Sequence, residues 1–227
     1  MQNNILIIDT STEYCLISLK MNNIIYNKIQ YSPCSHIKYI IKLLNNLLKE
    51  NNITLSQLNL LGYNLGPGNF TSLRIGIAVI ESISYIFNTP KIGVSHLMIL
   101  AEQSWKITNI RNVISIIKCN KNLLYFSIYK RNYKGLWIGK KSECLLNYND
   151  CLKKIILLQG KFALISNIDS HIKNNIQKNL NKNLQIIFLK KKISSSEDII
   201  TIISNFILNK KKIKKYYKIN YIKNLFY

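Results

Sequence analysis

The 227-residue sequence predicts an α/β protein built as two similar domains. Three observations carry this. Short apolar runs rich in β-branched residues alternate with stretches of helical apolar spacing. The first half opens with three strand-like segments before its first helix, and the second half opens the same way. A glycine turn, Gly66-Pro67-Gly68, separates a mostly apolar strand from a long helix. The chain is long enough to bury one large core or two small ones.

Ile5-Leu6-Ile7-Ile8 reads as a buried strand ending at Asp9. Thr10-Ser11-Thr12 is a polar turn. Tyr14 to Lys20 alternates and reads as a second strand, and Ile24 to Gln30 as a third. The chain therefore opens as a β-meander with a carboxylate at its first turn. Ser35 then caps a helix from His36 to about Glu50. Ile37, Ile40, Ile41, Leu44, Leu47 and Leu48 follow core-face spacing, and Tyr39 and Leu43 widen that face. Leu58 to Leu65 reads as a buried strand.

Gly66, Pro67 and Gly68 force a turn, and Asn69 is a good N-cap for a helix to about Phe87. Strand, glycine turn and helix N-terminus together can cradle an anion, because free N–H groups and the helix dipole point into the turn. A plain strand-to-helix connection has the same pattern and is commoner. The helix is apolar nearly all round: Phe70, Leu73, Ile75, Ile77, Val79, Ile80, Ile83, Ile86 and Phe87, with Thr71, Arg74, Ala78 and Glu81 on a narrow wet sector. Such a helix is covered on two sides. Its own sheet supplies one cover. A second comes from the chain or from a partner.

Thr89-Pro90 ends the helix. Lys91 to Val94 is a short strand, Ser95 caps a helix to about Trp105, and Thr108 to Asn112 is a polar break. The second half reads as strands at 113–118, 123–130 and 136–145, a helix at 148–158, a strand at 162–166, a helix at 170–180, a strand at 184–189, and a helix capped by Ser196 and running to about Leu208. The repeated order points to two ribonuclease-H-like domains, residues 1–108 and 109–227. The lysine-rich tail from Lys210 has no clear period.

Five cysteines, an odd number, show no Cys-x-x-Cys spacing, and the three histidines are far apart. A disulfide framework or structural metal site is therefore not expected. The N-terminus has no basic signal region and no apolar run reaches membrane-span length, so a cytoplasmic protein is expected. The net charge is +22, and only three of 32 basic residues are arginine. Residues 1–110 carry 8 basic and 5 acidic side chains, and residues 111–227 carry 24 and 5. Asymmetry of this kind accompanies nucleic-acid contact. Drift toward Asn, Ile, Lys and Tyr in an AT-rich coding sequence produces it too, and is the simpler reading for lysine on solvated faces.

Asp9-Thr10-Ser11-Thr12 after Ile5, the run Gly66-Pro67-Gly68-Asn69-Phe70-Thr71-Ser72-Leu73-Arg74-Ile75-Gly76, and Ile92-Gly93-Val94-Ser95 resemble, in that order, the signatures of the TsaB (YeaZ) family. Asn220-Tyr221-Ile222-Lys223-Asn224 resembles a worn form of its C-terminal element. The likeness is continuous over about residues 4–105 and thins beyond. Two departures stand out. Ser72 replaces the family's glycine. Lys118-Cys119-Asn120 and Leu123 replace residues that are often charged.

The resemblance implies an actin-like/Hsp70-like ATPase (ASKHA) fold of two domains. It also implies a role in making threonylcarbamoyladenosine beside the anticodon of tRNA. In that family the catalytic subunit is the paralogue TsaD, TsaE is an ATPase, and TsaB is non-catalytic. No cofactor is then expected on this subunit alone, since ATP, ADP and threonylcarbamoyl-AMP belong to the complex. Asp9 serves a metal-bound nucleotide in active relatives of the fold, whereas capping its own turn is the structural alternative. The helices 36–50 and 70–87 are expected to lie side by side as the TsaD-binding surface, through His36, Tyr39, Ile40, Leu43, Leu47, Leu73, Ile77 and Ile80. The same patch would close a homodimer when the chain is alone. The alternatives are an active ATPase or acyltransferase of the same fold, or a general RNA-binding protein.

Overall fold

The computed structural model describes residues 4–190 and 195–209. Contacts divide them into two compact units, residues 4–96 with 195–209, and residues 97–190. The first unit runs β1 (Ile5–Asp9), β2 (Tyr14–Met21), β3 (Ile24–Tyr31), α1 (His36–Glu50), β4 (Leu60–Asn64), α2 (Phe70–Phe87) and β5 (Lys91–Val94). α3 (His96–Thr108) follows. The second unit continues with β6 (Asn112–Lys118), β7 (Leu123–Arg131), β8 (Trp137–Ile138), β9 (Cys144–Asn147), α4 (Tyr148–Ile156), β10 (Gly160–Ser166), α5 (Ser170–Lys178) and β11 (Leu184–Lys190). The last described helix is α6 (Ser196–Leu208).

The two sheets repeat one topology. The first has the order β3-β2-β1-β4-β5, with an antiparallel meander on one side of β1 and parallel β4 and β5 on the other. The second has the order β11-β10-β6-β7-β8, with β9 also on β7, and β6, β10 and β11 parallel. This is the two-fold ribonuclease-H-like α/β architecture that the repeated element order predicts.

Alternation fixes which face each strand buries. In the first unit Leu6, Ile8, Ile17, Leu61 and Tyr63 face α1 and α2, meeting Ile40, Leu44, Leu47, Ile80 and Ile83. Each such burial contributes about 1.5–3 kcal/mol. The opposite face takes α6. Gly62 on β4 has no room for a side chain, because a Cβ there would collide with Ile7 and with Ile203 of α6. In the second unit Ile114, Ile116, Phe126, Leu146 and Leu164 pack under Cys151 and Ile155 of α4 and Ile176 of α5.

The domain boundary expected at residue 108 is corrected. The division falls after His96, and the polar break at 108–112 is a connection inside the second unit. α6, expected in the second domain, packs on the first sheet. Its apolar face fits the bare face of β1 and β4, a long-range match that local patterning does not reveal. The strand expected over 136–145 is also broken. Gly139 sits at φ +136, against the Ile128 carbonyl, and a turn at Lys140–Ser142 separates β8 from β9.

All five cysteines are free thiols. Burial pushes Cys15 and Cys151 up to about 12 and raises Cys144. A raised thiol stays protonated, and an unreactive S–H persists through neutral pH. Cys34 and Cys119 are exposed. Titration of the native protein with Ellman's reagent at pH 8 should therefore modify these two rapidly. The other three should react only after unfolding. Fast reaction of more than two would contradict the packing.

Candidate functional site

Two features adjoin in the first unit, the signature turn and an open groove. In the turn, Asp9 ends β1 almost fully buried. Its Oδ1 accepts from the Ser11 amide at 2.9 Å, and its Oδ2 accepts from Asn64 Nδ2 at 3.0 Å. Asn64 Nδ2 also donates to Ser11 Oγ at 2.9 Å, and Asn64 Oδ1 accepts from the Gly66 amide at 2.8 Å. Asp9 and Asn64 thus bind the ends of β1 and β4 to the glycine turn. Thr10 Oγ1 donates to the Ser72 carbonyl at 2.7 Å, anchoring α2.

The glycines fit this closure. Gly66 adopts φ +87. A Cβ at Gly68 would strike the Ser11 carbonyl oxygen, and one at Gly76 would strike the Thr10 hydroxyl. The Asn69 amide donates to that Ser11 carbonyl at 3.1 Å, and the Ser72 amide donates to the Asn69 side chain at 3.1 Å. Two amides at the start of α2 are therefore committed within the chain. A carbonyl oxygen, which repels anions, lies against Gly68. His96 Nδ1 meets the Pro67 carbonyl at 2.9 Å on the other side of the turn. The Asp9 bonds form the turn cap that was the structural alternative. No group of three or more His, Cys, Asp or Glu side chains gathers to hold a metal among the described residues.

The groove lies between α1 and α2, a space of about 420 Å³. Ile37, Ile41, Phe70, Arg74, Ala78 and Val79 are among its lining residues. Ile37 is 73% exposed, Ile41 51% and Phe70 52%. The Arg74 guanidinium sits 3.9 Å from the centre of the Phe70 ring, a cation–π contact that holds the ring at the rim. Apolar exposure continues to the far end of α2, at Tyr85 and Ile86. α2 is long and apolar enough to cross a membrane by composition, but Leu73, Ile80 and Ile83 are buried and Gly76 abuts Thr10. Its hydrophobicity is divided between its own sheet and the groove.

The helices do pack against each other, and both keep an uncovered apolar side. The residues expected on the partner surface need correction, however. His36, Ile40, Leu47, Leu73 and Ile80 are buried within the unit, and Tyr39, Leu43 and Ile77 are half-buried. Ile37, Ile41, Phe70, Thr71, Arg74 and Ala78 are the exposed ones. Periodicity identifies an apolar stripe wider than one sheet can cover. It does not tell which edge of the stripe faces inward.

Sequence reasoning missed three partners. Asn64 was read only as part of a strand, although an Asn two residues before a glycine turn is a recognisable turn-former. Ser72 Oγ and buried His36 Nδ1 lie 3.1 Å apart, joining the first turns of α1 and α2. The serine that replaces the family's glycine thus makes an inter-helix bond. His96, one of three histidines far apart in sequence, meets the Pro67 carbonyl of the turn, a pairing across 29 residues that no local signal reveals. The other departure lies in the β6–β7 hairpin. Asn120 Oδ1 accepts from the amides of Asn122 and Leu123, and Lys118 pairs with Asp169 at 2.7 Å. The C-terminal likeness at 220–224 and the lysines at 191–192 and 210–215 fall outside the described residues.

A family profile described as TsaD, tRNA N6-adenosine threonylcarbamoyltransferase, matches residues 30–199. A Buchnera aphidicola (subsp. Baizongia pistaciae) protein, "tRNA threonylcarbamoyladenosine biosynthesis protein TsaB", is 38% identical over 74% of this chain and 76% of its own length. The Escherichia coli K12 protein of that name is 29% identical over 71% of this chain and 70% of its own. Among solved structures, YeaZ from Pseudomonas aeruginosa superposes with a TM-score of 0.71 at 19% identity, covering 91% of this chain and 93% of that one. Another P. aeruginosa structure, described as similar to peptidase YEAZ, gives 0.77 at 19% identity, with 97% and 100% covered. At such identity these two structures establish the fold.

Proposed function

The chain belongs to the TsaB (YeaZ) family, and on that premise we propose that it is the non-catalytic subunit of a tRNA threonylcarbamoyladenosine synthesis complex. It acts with a TsaD-like catalytic subunit and a TsaE-like ATPase in the cytoplasm. The complex moves the threonylcarbamoyl group from threonylcarbamoyl-AMP to N6 of the adenosine next to the anticodon. This subunit holds no cofactor by itself.

One observation carries the reading. The side chains of Asp9, Asn64 and Asn69 are spent on closing the signature turn, while the adjoining α1–α2 groove leaves apolar surface open. A catalytic site needs uncommitted groups facing substrate. An open apolar groove between two helices suits a protein partner. The TsaD-like subunit is that partner in the complex, and a second copy of the chain covers the groove in its absence.

The test is reconstitution. The purified full chain is combined with the TsaD-like and TsaE-like subunits from the same cell, ATP, threonylcarbamoyl-AMP and unmodified tRNA. Modification should require this chain, and the chain alone should transfer nothing. Transfer or steady ATP turnover by the lone chain would establish the active-enzyme alternative instead.

A further inference from the structure

The described parts of the two units share one fold and differ in charge. The first unit has 7 Lys and Arg against 6 Asp and Glu among its described residues, net +1. The second has 16 against 4, net +12. The six lysines at 210–218 lie outside these counts. The acids of the second unit are also engaged. Glu102 receives Trp137 Nε1 at 2.7 Å, Glu143 receives the Tyr129 hydroxyl, Asp169 pairs with Lys118, and Asp150 lies 3.9 Å from Lys153.

Six exposed cations gather at one end of the second sheet, where β6, β10 and β11 begin, β7 ends, and α4 and α5 finish. A chain of contacts joins them. Asn112 pairs with Lys130 across β6 and β7, and its side chain donates to the Lys161 carbonyl at 3.3 Å. The Gly160 amide donates to the Asn183 carbonyl at 2.8 Å. Asn181 Nδ2 donates to the Ile156 carbonyl at 2.7 Å, at the end of α4. Arg111, Lys130, Lys154, Lys161, Lys178 and Lys182 stand on these segments, all exposed. No Asp or Glu occurs within 111–113, 128–131, 153–162 or 177–185. Lys154 and Lys178 also offset the dipoles of their own helices. Arg111, Lys130, Lys161 and Lys182 have no helix terminus to serve. At the matching end of the first unit, buried Lys91 is paired with Glu81, Lys20 is half-buried, and Lys49 stands beside Glu50, which pairs with Lys28.

We propose that this end of the second unit is a phosphate-binding face that docks the backbone of RNA without reading its bases. Spaced cations without acids give sequence-independent binding through counterion release. A bilayer surface is the other polyanion, but α4 and α5 turn Cys151, Ile155 and Ile176 onto the sheet, and Leu157 is the one strongly exposed apolar side chain on these segments, which is less than an inserting helix face presents. The proposal extends the assigned role in tRNA modification by giving the chain its own contact to the substrate.

The test compares three forms of the full chain: unaltered, Lys154→Gln/Lys161→Gln/Lys182→Gln, and a charge-matched control, Lys121→Gln/Lys173→Gln/Lys190→Gln, away from the face. Affinity for an unmodified tRNA transcript is measured by fluorescence anisotropy from 20 to 200 mM salt. Vesicles of phosphatidylcholine and phosphatidylserine at 3:1 are measured in parallel. The face variant should lose about 2–3 units of log–log salt slope, at about 0.7–0.9 per phosphate contact, and the control should lose less than one. Equal losses, no binding of the unaltered chain at 20 mM salt, or binding to vesicles only would each overturn the proposal. Reconstituted modification reads the assigned role separately. Full modification with an unchanged slope sinks the face and leaves that role standing. A slope loss without any dependence of modification on the chain does the reverse.

Discussion

The double variant Ile41→Asp/Ala78→Asp is expected to abolish co-purification with the TsaD-like subunit and to leave the chain monomeric. Ile41 lies on α1 and Ala78 on α2, both exposed and both lining the groove. In the free chain each aspartate stays in water, so the cost to folding is the loss of helix propensity, about 0.5–0.7 kcal/mol per site. Under a partner the same carboxylates lose water, and the single Arg74 of the groove, already stacked on Phe70, can pair with at most one of them, so the pair still costs several kcal/mol. Every 1.4 kcal/mol is tenfold in affinity, so binding should weaken by at least about 100-fold. Size-exclusion chromatography with light scattering reads the homodimer, pull-down reads the heteromer, and circular dichroism confirms the fold. Retention of both assemblies by a folded double variant would place the partner elsewhere. Loss of the homodimer alone would separate the two contacts, which the present reading puts on one surface.

Local chemistry made much of this legible. α1 starts after Ser35 as expected, although that serine makes no side-chain cap bond, and α2 starts at the Asn69 cap and ends at left-handed Asn88, two residues before Pro90. The meanders follow from alternation and short turns. What depended on long-range packing was not legible. α6 carries the same apolar spacing whichever sheet it covers, so its return to the first unit was invisible. Ile40 and Ile41 are equally hydrophobic neighbours on one helix and both line the groove, yet Ile40 is buried at its floor and Ile41 is half exposed. The Asp9–Asn64 pair joins residues 55 apart, a distance no local signal spans. The charge asymmetry was visible, but its meaning was not. Counting by halves showed +3 against +19, and only the structure brought Arg111, Lys130, Lys154, Lys161, Lys178 and Lys182 to one end of a sheet.

Asp9→Ala is expected to lower folding stability by about 2–4 kcal/mol, and Asp9→Asn by less, with threonylcarbamoyladenosine formation close to normal wherever the variant remains folded. The carboxylate is a buried acceptor for the Ser11 amide and for Asn64 Nδ2. Alanine leaves the Ser11 amide without that acceptor, and an orphaned buried donor costs about 1–3 kcal/mol. Asn64 Nδ2 keeps Ser11 Oγ and is penalised less. Asparagine at position 9 still offers an oxygen to the Ser11 amide, but its Nδ2 meets that of Asn64. Rotating the Asn64 amide relieves this clash only by breaking its bond from the Gly66 amide. The substitution therefore strains the turn without emptying it. A carboxylate working as a general acid or base, by contrast, typically contributes 10²–10⁴-fold to rate, a loss that Asp9→Asn would show in full while folded. The two roles separate on one pair of measurements, urea unfolding midpoints and single-turnover modification by the reconstituted complex at low temperature. A folded, partner-binding Asp9→Asn protein with modification reduced more than about 100-fold would make Asp9 catalytic and end the non-catalytic assignment.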